Sequence, residues 1–298
     1  MKVKAIAPWF GGKRTLAPDI VVQLGGHTQY FEPFCGSMAV LFAKEPSRKE
    51  TVNDLHGDLI NLARVIQWPS SAEVLYNLIQ LPLVDEDLLA RARVQLAADF
   101  IVPDIVTDAS IHRAYWYFIA SWQGRNGTAG TARVDYQIAV RWTKGGGSPT
   151  VRWRHAVDSL PAWHQRLQNV VILCRDAFQF IDRFEDVKET AVYVDPPYHC
   201  GTRSFTKNGL GSKYKHEFEH GETLYGDEHE QLAKILGAYK KARVVVSYYD
   251  HPRIRQLYEG WTFIDKARQK HLHAQNGRNA RPKEAPELLI VNGPEYPA

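Results

Sequence analysis

Short apolar runs recur along the chain at Tyr30-Phe31-Glu32, Val170 to Leu173, Ala191 to Val194, Val244 to Val246 and Leu288 to Val291. They are too short for buried helices and mostly rich in β-branched residues, so they read as buried strands. Between them, Leu55, Leu59, Leu62 and Ile66, and later Leu232, Leu236 and Tyr239, follow the spacing of amphipathic helices. This alternation predicts an α/β sheet covered by helices. The rhythm is lost from about Trp68 to Trp163. There the pattern gives helices over Val74 to Leu81 and Glu86 to Asp99, then a stretch rich in Arg, Trp and Gly. Gln137 to Trp142 and Val151 to Trp153 read as two short strands around the turn Gly145-Gly146-Gly147, a β-ribbon of the kind that fits a major groove. No internal repeat is evident.

A chain of 298 residues, 44% hydrophobic and 23% charged, can bury one large core or a core plus an insert. Its net charge is only +4, but the distribution is uneven. Arg113, Arg125, Arg133, Arg141, Lys144, Arg152, Arg154 and Arg166 are opposed in their stretch only by Asp135 and Asp158. Trp116, Trp122, Tyr136, Trp142, Trp153 and Trp163 are interleaved with them. Such a segment is either the solvated basic surface of a small helical domain or an inserted nucleic-acid-binding module. Lys266, Arg268, Lys270, Arg278, Arg281 and Lys283, with no acid between, form a second basic stretch suited to a DNA backbone or to solvent. Cys35, Cys174 and Cys200 make no CxxC pair or disulfide framework, which points to a reducing, cytoplasmic setting. The N-terminus lacks a signal-peptide core, and no run of about 18 apolar residues could span a membrane; a soluble protein is expected.

Chemistry collects at the predicted strand ends. Asp195-Pro196-Pro197-Tyr198 comes directly after the run Ala191 to Val194, at the edge where ligands bind in open α/β sheets. Two prolines stiffen the segment and remove two amide donors. A carboxylate beside exposed carbonyls makes an acceptor pair for a planar NH2 group, and the tyrosine offers a ring for stacking. Phe31-Glu32-Pro33-Phe34-Cys35-Gly36-Ser37 has the form of strand, tight turn and helix start, where small residues admit a ligand close to the backbone. Val52-Asn53-Asp54 puts an acid at the next strand end, placed to hydrogen-bond ribose hydroxyls. Pro8-Trp9-Phe10-Gly11-Gly12-Lys13 lacks the full phosphate-loop pattern GxxxxGK[ST], though Lys13 can pair with a ligand carboxylate. His216, His220 and His229 lie near Glu217, Glu219 and Glu222 but match no tight ligand spacing, so no metal is expected.

In this order the motifs resemble the Dam-like class of adenine-N6 DNA methyltransferases. The opening aromatic-x-Gly-Gly-Lys looks like Trp9 to Lys13, and Glu-Pro-Phe-x-Gly is matched by Glu32 to Gly36. The Asn-Asp pair is matched by Asn53-Asp54, and an acid two residues before an aromatic by Asp176-Ala177-Phe178. DPPY is matched by Asp195 to Tyr198, and Glu-Leu-Leu-Ile-x-Asn by Glu287 to Asn292. The resemblance implies a Rossmann-like methyltransferase sheet formed by residues 1–67 and 166–298. It also implies an inserted, mainly helical target-recognition domain with a β-hairpin over 68–165, where composition placed the basic segment. S-adenosylmethionine is the implied cofactor, held by Trp9, Gly12, Lys13, Glu32, Pro33, Phe34, Gly36, Asp54, Asp176, Phe178 and Asp195. Lys13 would take its carboxylate, Asp54 its ribose and Asp176 its adenine. Asp195, Pro196, Pro197 and Tyr198 would act on an adenine flipped from double-stranded DNA, with Tyr198 stacked on the base. Arg125, Asn126, Arg133, Arg141, Lys144, Arg152 and Arg154 are the candidate DNA contacts. In place of the Phe-Asn-Gly-Leu-like run expected of GATC-methylating members, this sequence has Arg125-Asn126-Gly127-Thr128, so GATC specificity does not carry over. RNA adenine, the cytosine amino group, and a non-catalytic DNA-binding role on the same scaffold are the competing readings. Whether the protein is a monomer or homodimer, and whether a restriction endonuclease accompanies it, stays open.

Overall fold

The computed structural model describes residues 3–9, 11–124, 138, 148–198, 227–266, 268–269, 284–285 and 287–297. The strand ahead of the DPPY motif, β4 (Thr190–Val194), is buried at all its positions, as a strand covered by helices on both faces should be. It lies inside a seven-stranded sheet together with β1 (Gln29–Glu32), β2 (Lys49–Asn53), β3 (Val170–Leu173), β5 (Arg243–Tyr249), β6 (Thr262–Asp265) and β9 (Glu287–Asn292). The order is β3-β2-β1-β4-β5-β9-β6. Strands β1 to β5 pair in parallel, whereas β9 runs antiparallel to both β5 and β6. A two-residue antiparallel ladder, β7 (Arg268–Gln269) with β8 (Glu284–Ala285), stands apart.

Side chains alternate between two apolar layers, as the period of a strand requires. Tyr30, Ala191, Tyr193, Val245, Leu289 and Val291 join one core, with α1 (Ala17–Leu24), α2 (Gly57–Gln67) and the helices of the middle region. Val192, Val194, Val244, Val246, Leu288 and Ile290 join the other, with α9 (Glu228–Gly237) and α10 (Pro252–Leu257). The five runs read as strands in the sequence are all strands of this sheet. Leu59, Leu62 and Ile66 are fully buried on α2 as their spacing predicts. Leu55 is instead exposed, because α2 begins only at Gly57, behind the N-cap His56. Among the described residues no helix is long and apolar enough to cross a membrane.

The described residues of the middle region form helices: α3 (Pro69–Gln80), α4 (Glu86–Leu96), α5 (Asp108–Gln123), α6 (Pro149–Val157) and α7 (Leu160–Leu167). The strand expected over Val151 to Trp153 is therefore corrected to part of α6. Pro149 in its first turn favours a helix start, and Trp153, Ala156 and Val157 fall on one buried helical face. Alternating Val and Trp imitate a strand over three residues; only a longer window separates the periods. Gln137 and residues 139–142 of the other expected strand lie outside the described residues, as do Arg125, Asn126, Arg133, Arg141, Lys144, Cys200, Lys270, Arg278, Arg281, Lys283, His216, His220 and their neighbouring glutamates.

Three of the interleaved tryptophans belong to the core. Trp122, Trp153 and Trp163 are buried, and the rings of Trp122 and Trp163 stack 6.2 Å apart. Their indole nitrogens find backbone partners, as buried indoles must: Trp122 donates to Ile6 O at 3.1 Å and Trp163 to Val3 O at 2.7 Å. These two bonds dock the N-terminal segment between the helical layer and the sheet.

Candidate active site

The strand order reverses between β1 and β4, and ligands of open α/β sheets bind beyond the C-terminal strand ends at such a point. Glu32-Pro33-Phe34 leaves β1 there and Asp195 leaves β4 there. An open cleft lies between them, about 1000 Å³ with the solvent at its mouth included. Of the residues expected to hold a cofactor, Trp9, Gly12, Lys13, Glu32, Pro33, Phe34, Gly36, Asp54, Asp176, Phe178 and Asp195 all line it, and Pro197 does too. Pro196 is buried beside it.

Asp195 is anchored through one oxygen. Its Oδ1 forms an ion pair with Lys13 Nζ at 2.9 Å and accepts a hydrogen bond from Ser247 Oγ at 2.9 Å. Among the described residues, Oδ2 takes no such bond. Lys13, buried and also donating to Gly11 O at 2.8 Å, thus neutralises Asp195 in addition to facing the cleft. Its ammonium lies 4.8 Å from the centre of the Tyr198 ring. That ring is buried, packs edge-on against Tyr249 at 4.6 Å, and donates its hydroxyl to Glu287 Oε2 at 2.9 Å. Base stacking on Tyr198 requires this covered ring to open.

The opposite wall of the cleft is built by three loops that hold one another. Asn53, fully buried, donates from Nδ2 to Pro33 O at 3.0 Å and to Arg175 O at 2.9 Å, and its Oδ1 accepts from Arg175 N at 3.0 Å. One amide therefore ties the ends of β1, β2 and β3 together. Asp54 accepts from Gly36 N at 2.8 Å and from His56 N at 2.9 Å. Burial raises the Asp54 carboxyl, against these amides, which favour its charged form. Asp176 caps α8 (Ala177–Ile181) by accepting from Gln179 N. Gly36 has φ +46°, and a Cβ there would meet Trp9 Nε1 at 2.7 Å. Gly36→Ala is therefore expected to displace the indole that walls the cleft and to weaken cofactor affinity by roughly tenfold or more, as titration calorimetry would read.

Acidic groups dominate the cleft electrostatically. Glu32, Asp54, Asp176, Asp195 and Glu228 line it, and the lining cations are Lys13, already paired, and Arg175 at the exposed rim. Burial pushes the Glu32 carboxyl up to about 8, and the nearby Asp195 adds to the rise although Tyr30 OH donates a 2.8 Å bond to Oε2. Such a cleft favours a ligand that brings positive charge. Among the described residues no group of His, Cys, Asp and Glu could hold a metal ion.

Residues 9–87 and 142–272 match the D12 class N6 adenine-specific DNA methyltransferases. The chain belongs to this family. It is also similar to the retron Ec67 DNA adenine methylase of Escherichia coli, 23% identical over 302 residues that cover 98% of this chain and 92% of that protein. The chain is thus an adenine-specific DNA methyltransferase, and its sheet is the Rossmann-like sheet such enzymes use. The family match passes over residues 88–141, which overlap the basic and aromatic stretch from Arg113 onward.

Several basic residues of this methyltransferase take partners inside the fold. Arg152 donates to the carbonyls of Trp122 at 2.7 Å and Gly124 at 3.0 Å and so caps the end of α5. Arg113 pairs with Asp58 at 2.6 Å and Arg166 with Glu50 at 2.5 Å. Lys266 pairs with Asp19 at 2.9 Å. Arg154 is exposed on α6. The sequence marks neither Ser247 nor Tyr193 as part of the site. Asn53 was legible through its motif; nothing local marks Ser247, which reaches Asp195 across 52 residues.

Proposed function

We propose that this methyltransferase transfers a methyl group from S-adenosylmethionine to the N6 amino group of an adenine flipped out of double-stranded DNA. The observation that carries the reading is the Asp195 carboxylate, held by Oδ1 at the mouth of an acid-lined cleft and succeeded by two prolines. Bound S-adenosylmethionine supplies a methyl group already activated by its sulfonium charge. The chain's own part is orientation. Asp195 Oδ2 and the carbonyl of Pro196 accept hydrogen bonds from the adenine amino group and aim its nitrogen lone pair at the methyl carbon. Trp9 and Phe178 supply apolar walls, and Asp54 and Asp176 accept from ribose hydroxyls and the cofactor's adenine. A base in the duplex stack cannot reach such a cleft, and flipping it costs a few kcal/mol. Residues 68–165 form the target-recognition domain in this reading, with Arg125, Asn126, Arg133, Arg141, Lys144 and Arg154 as the DNA contacts. Incubation with S-adenosylmethionine and mixed-sequence duplex DNA should yield N6-methyladenine by nucleoside mass spectrometry. N4-methylcytosine alone, or methylated adenine only in RNA, would overturn the proposal.

The state of Glu32 makes the cofactor testable by itself. A carboxyl raised to about 8 is mostly protonated at neutral pH. A cationic ligand stabilises its charged form and so lowers that value. Binding of S-adenosylmethionine is therefore expected to release protons near pH 7, and affinity should rise with pH until about 8. Calorimetry in buffers of different ionisation enthalpy measures the release directly, and Glu32→Gln should remove it.

A further inference from the structure

The Asp195 carboxylate is held from behind by a chain of hydroxyls. Ser247 sits on β5 after Val244, Val245 and Val246 and is wholly buried. A hydroxyl there is costly unless bonded. Its Oγ lies 2.9 Å from Asp195 Oδ1 and 2.9 Å from the hydroxyl of Tyr193, itself buried on β4. A carboxylate oxygen can only accept, so the single Ser247 proton goes to Asp195 and Tyr193 must donate to Ser247. Burial and the charge of Asp195 raise the Tyr193 phenol well above its ordinary range, which keeps it a donor. Lys13 approaches the same Oδ1 at 2.9 Å.

We propose that Ser247, backed by Tyr193, is a positioning residue that works with Lys13 to fix Asp195 Oδ1 and so reserves Oδ2 for the adenine amino group. The proposal rests on the role given to Asp195 under the proposed function. The two oxygens of a carboxylate are chemically alike, and a free side chain presents either by rotating about χ2. Two donors converging on Oδ1 break that equivalence. The acceptor then stands in one place when the base arrives, which is the orientation that displacement at the methyl carbon demands.

The test compares Ser247→Ala, Ser247→Thr, Tyr193→Phe and Asp195→Ala in single-turnover methylation of duplex DNA. Ser247→Ala should lower the transfer rate roughly ten- to a hundredfold, the scale of a hydrogen bond to a charged group. The KM for S-adenosylmethionine, DNA affinity and melting temperature should stay close to wild type. Ser247→Thr, which keeps the hydroxyl, should restore most of the rate. Tyr193→Phe should have a smaller effect, and none in the Ser247→Ala background, because its donor acts through Ser247. Wild-type rates in Ser247→Ala beside an inactive Asp195→Ala would overturn the relay and leave the role of Asp195 standing. Additive losses, or a KM rising in step with the loss of rate, would also overturn it. Full activity of Asp195→Ala would remove the proposed function and the relay together. Should Ser247→Ala not fold, Ser247→Thr and Tyr193→Phe decide the matter by the same rates.

Discussion

Replacement of Asp195 by alanine is expected to reduce methyl transfer by about a thousandfold or more, while duplex DNA binds with nearly unchanged affinity. Removing the carboxylate takes away the acceptor that directs the adenine nitrogen and leaves every proposed DNA contact in place. Asp195→Asn should be almost as severe. Its amide can turn a donor toward an amino group that is itself a donor, and its oxygen is claimed by Lys13 and Ser247. Both changes also take from buried Lys13 the carboxylate that lies 2.9 Å from its ammonium. Lys13 keeps Gly11 O but loses the Asp195 ion pair, and a destabilisation of about 2 kcal/mol should accompany the kinetic loss. Melting curves and DNA titrations recorded with the rates separate the two effects. Parallel loss of DNA affinity, rate and stability would mean that Asp195 holds the fold and does not act on the base.

The cleft was legible in the sequence because its parts are local. Glu32, Asp54 and Asp195 each end a short apolar run, and parallel strands deliver the residues at their C-terminal ends to one edge of the sheet. Neither periodicity nor spacing says which cleft residues touch. Lys13 reads as free to hold a ligand carboxylate; in the fold its ammonium meets Asp195, 182 positions along the chain. Ser247 carries no motif and comes after a run of valines, so only the pairing of β4 with β5 brings it to the carboxylate.

The basic and aromatic middle shows the opposite failure. Composition cannot tell a buried indole from an exposed one. Trp122, Trp153 and Trp163 are interleaved with the arginines in sequence, yet they fill the layer between α5, α6, α7 and the N-terminal segment. Arginine is equally ambiguous, since a guanidinium fork suits a carboxylate or a cluster of carbonyls as well as a phosphate. Arg113, Arg152 and Arg166 each take an internal partner. The charge excess read from composition therefore includes three arginines that already hold partners inside the fold.

One of those internal partners carries the second large expectation. Glu50→Gln should destabilise the protein by about 3–5 kcal/mol, the cost of breaking a buried ionic cluster on one side. Glu50 on β2 is buried, accepts from Lys44 Nζ at 2.5 Å and takes a two-pronged contact from Arg166 at 2.5 and 2.8 Å. Burial alone would raise its carboxyl, but the bonds from Arg166 and Lys44 outweigh it and hold the group below its ordinary value. A depressed carboxyl contributes stability that is fully present above its unfolded value, about 4.5, and is lost as pH falls through the folded one. Wild type and variant should therefore differ most near pH 7 and converge in acid, as urea unfolding at pH 7.5 and pH 4 would show. Arg166 sits on α7, so the cluster joins the helical layer to the sheet, and one apolar core runs through both. Unfolding of Glu50→Gln should accordingly remain a single transition at lower urea. Two transitions would mean that α3 to α7 fold as a unit of their own, and that Glu50 only clamps that unit to the sheet.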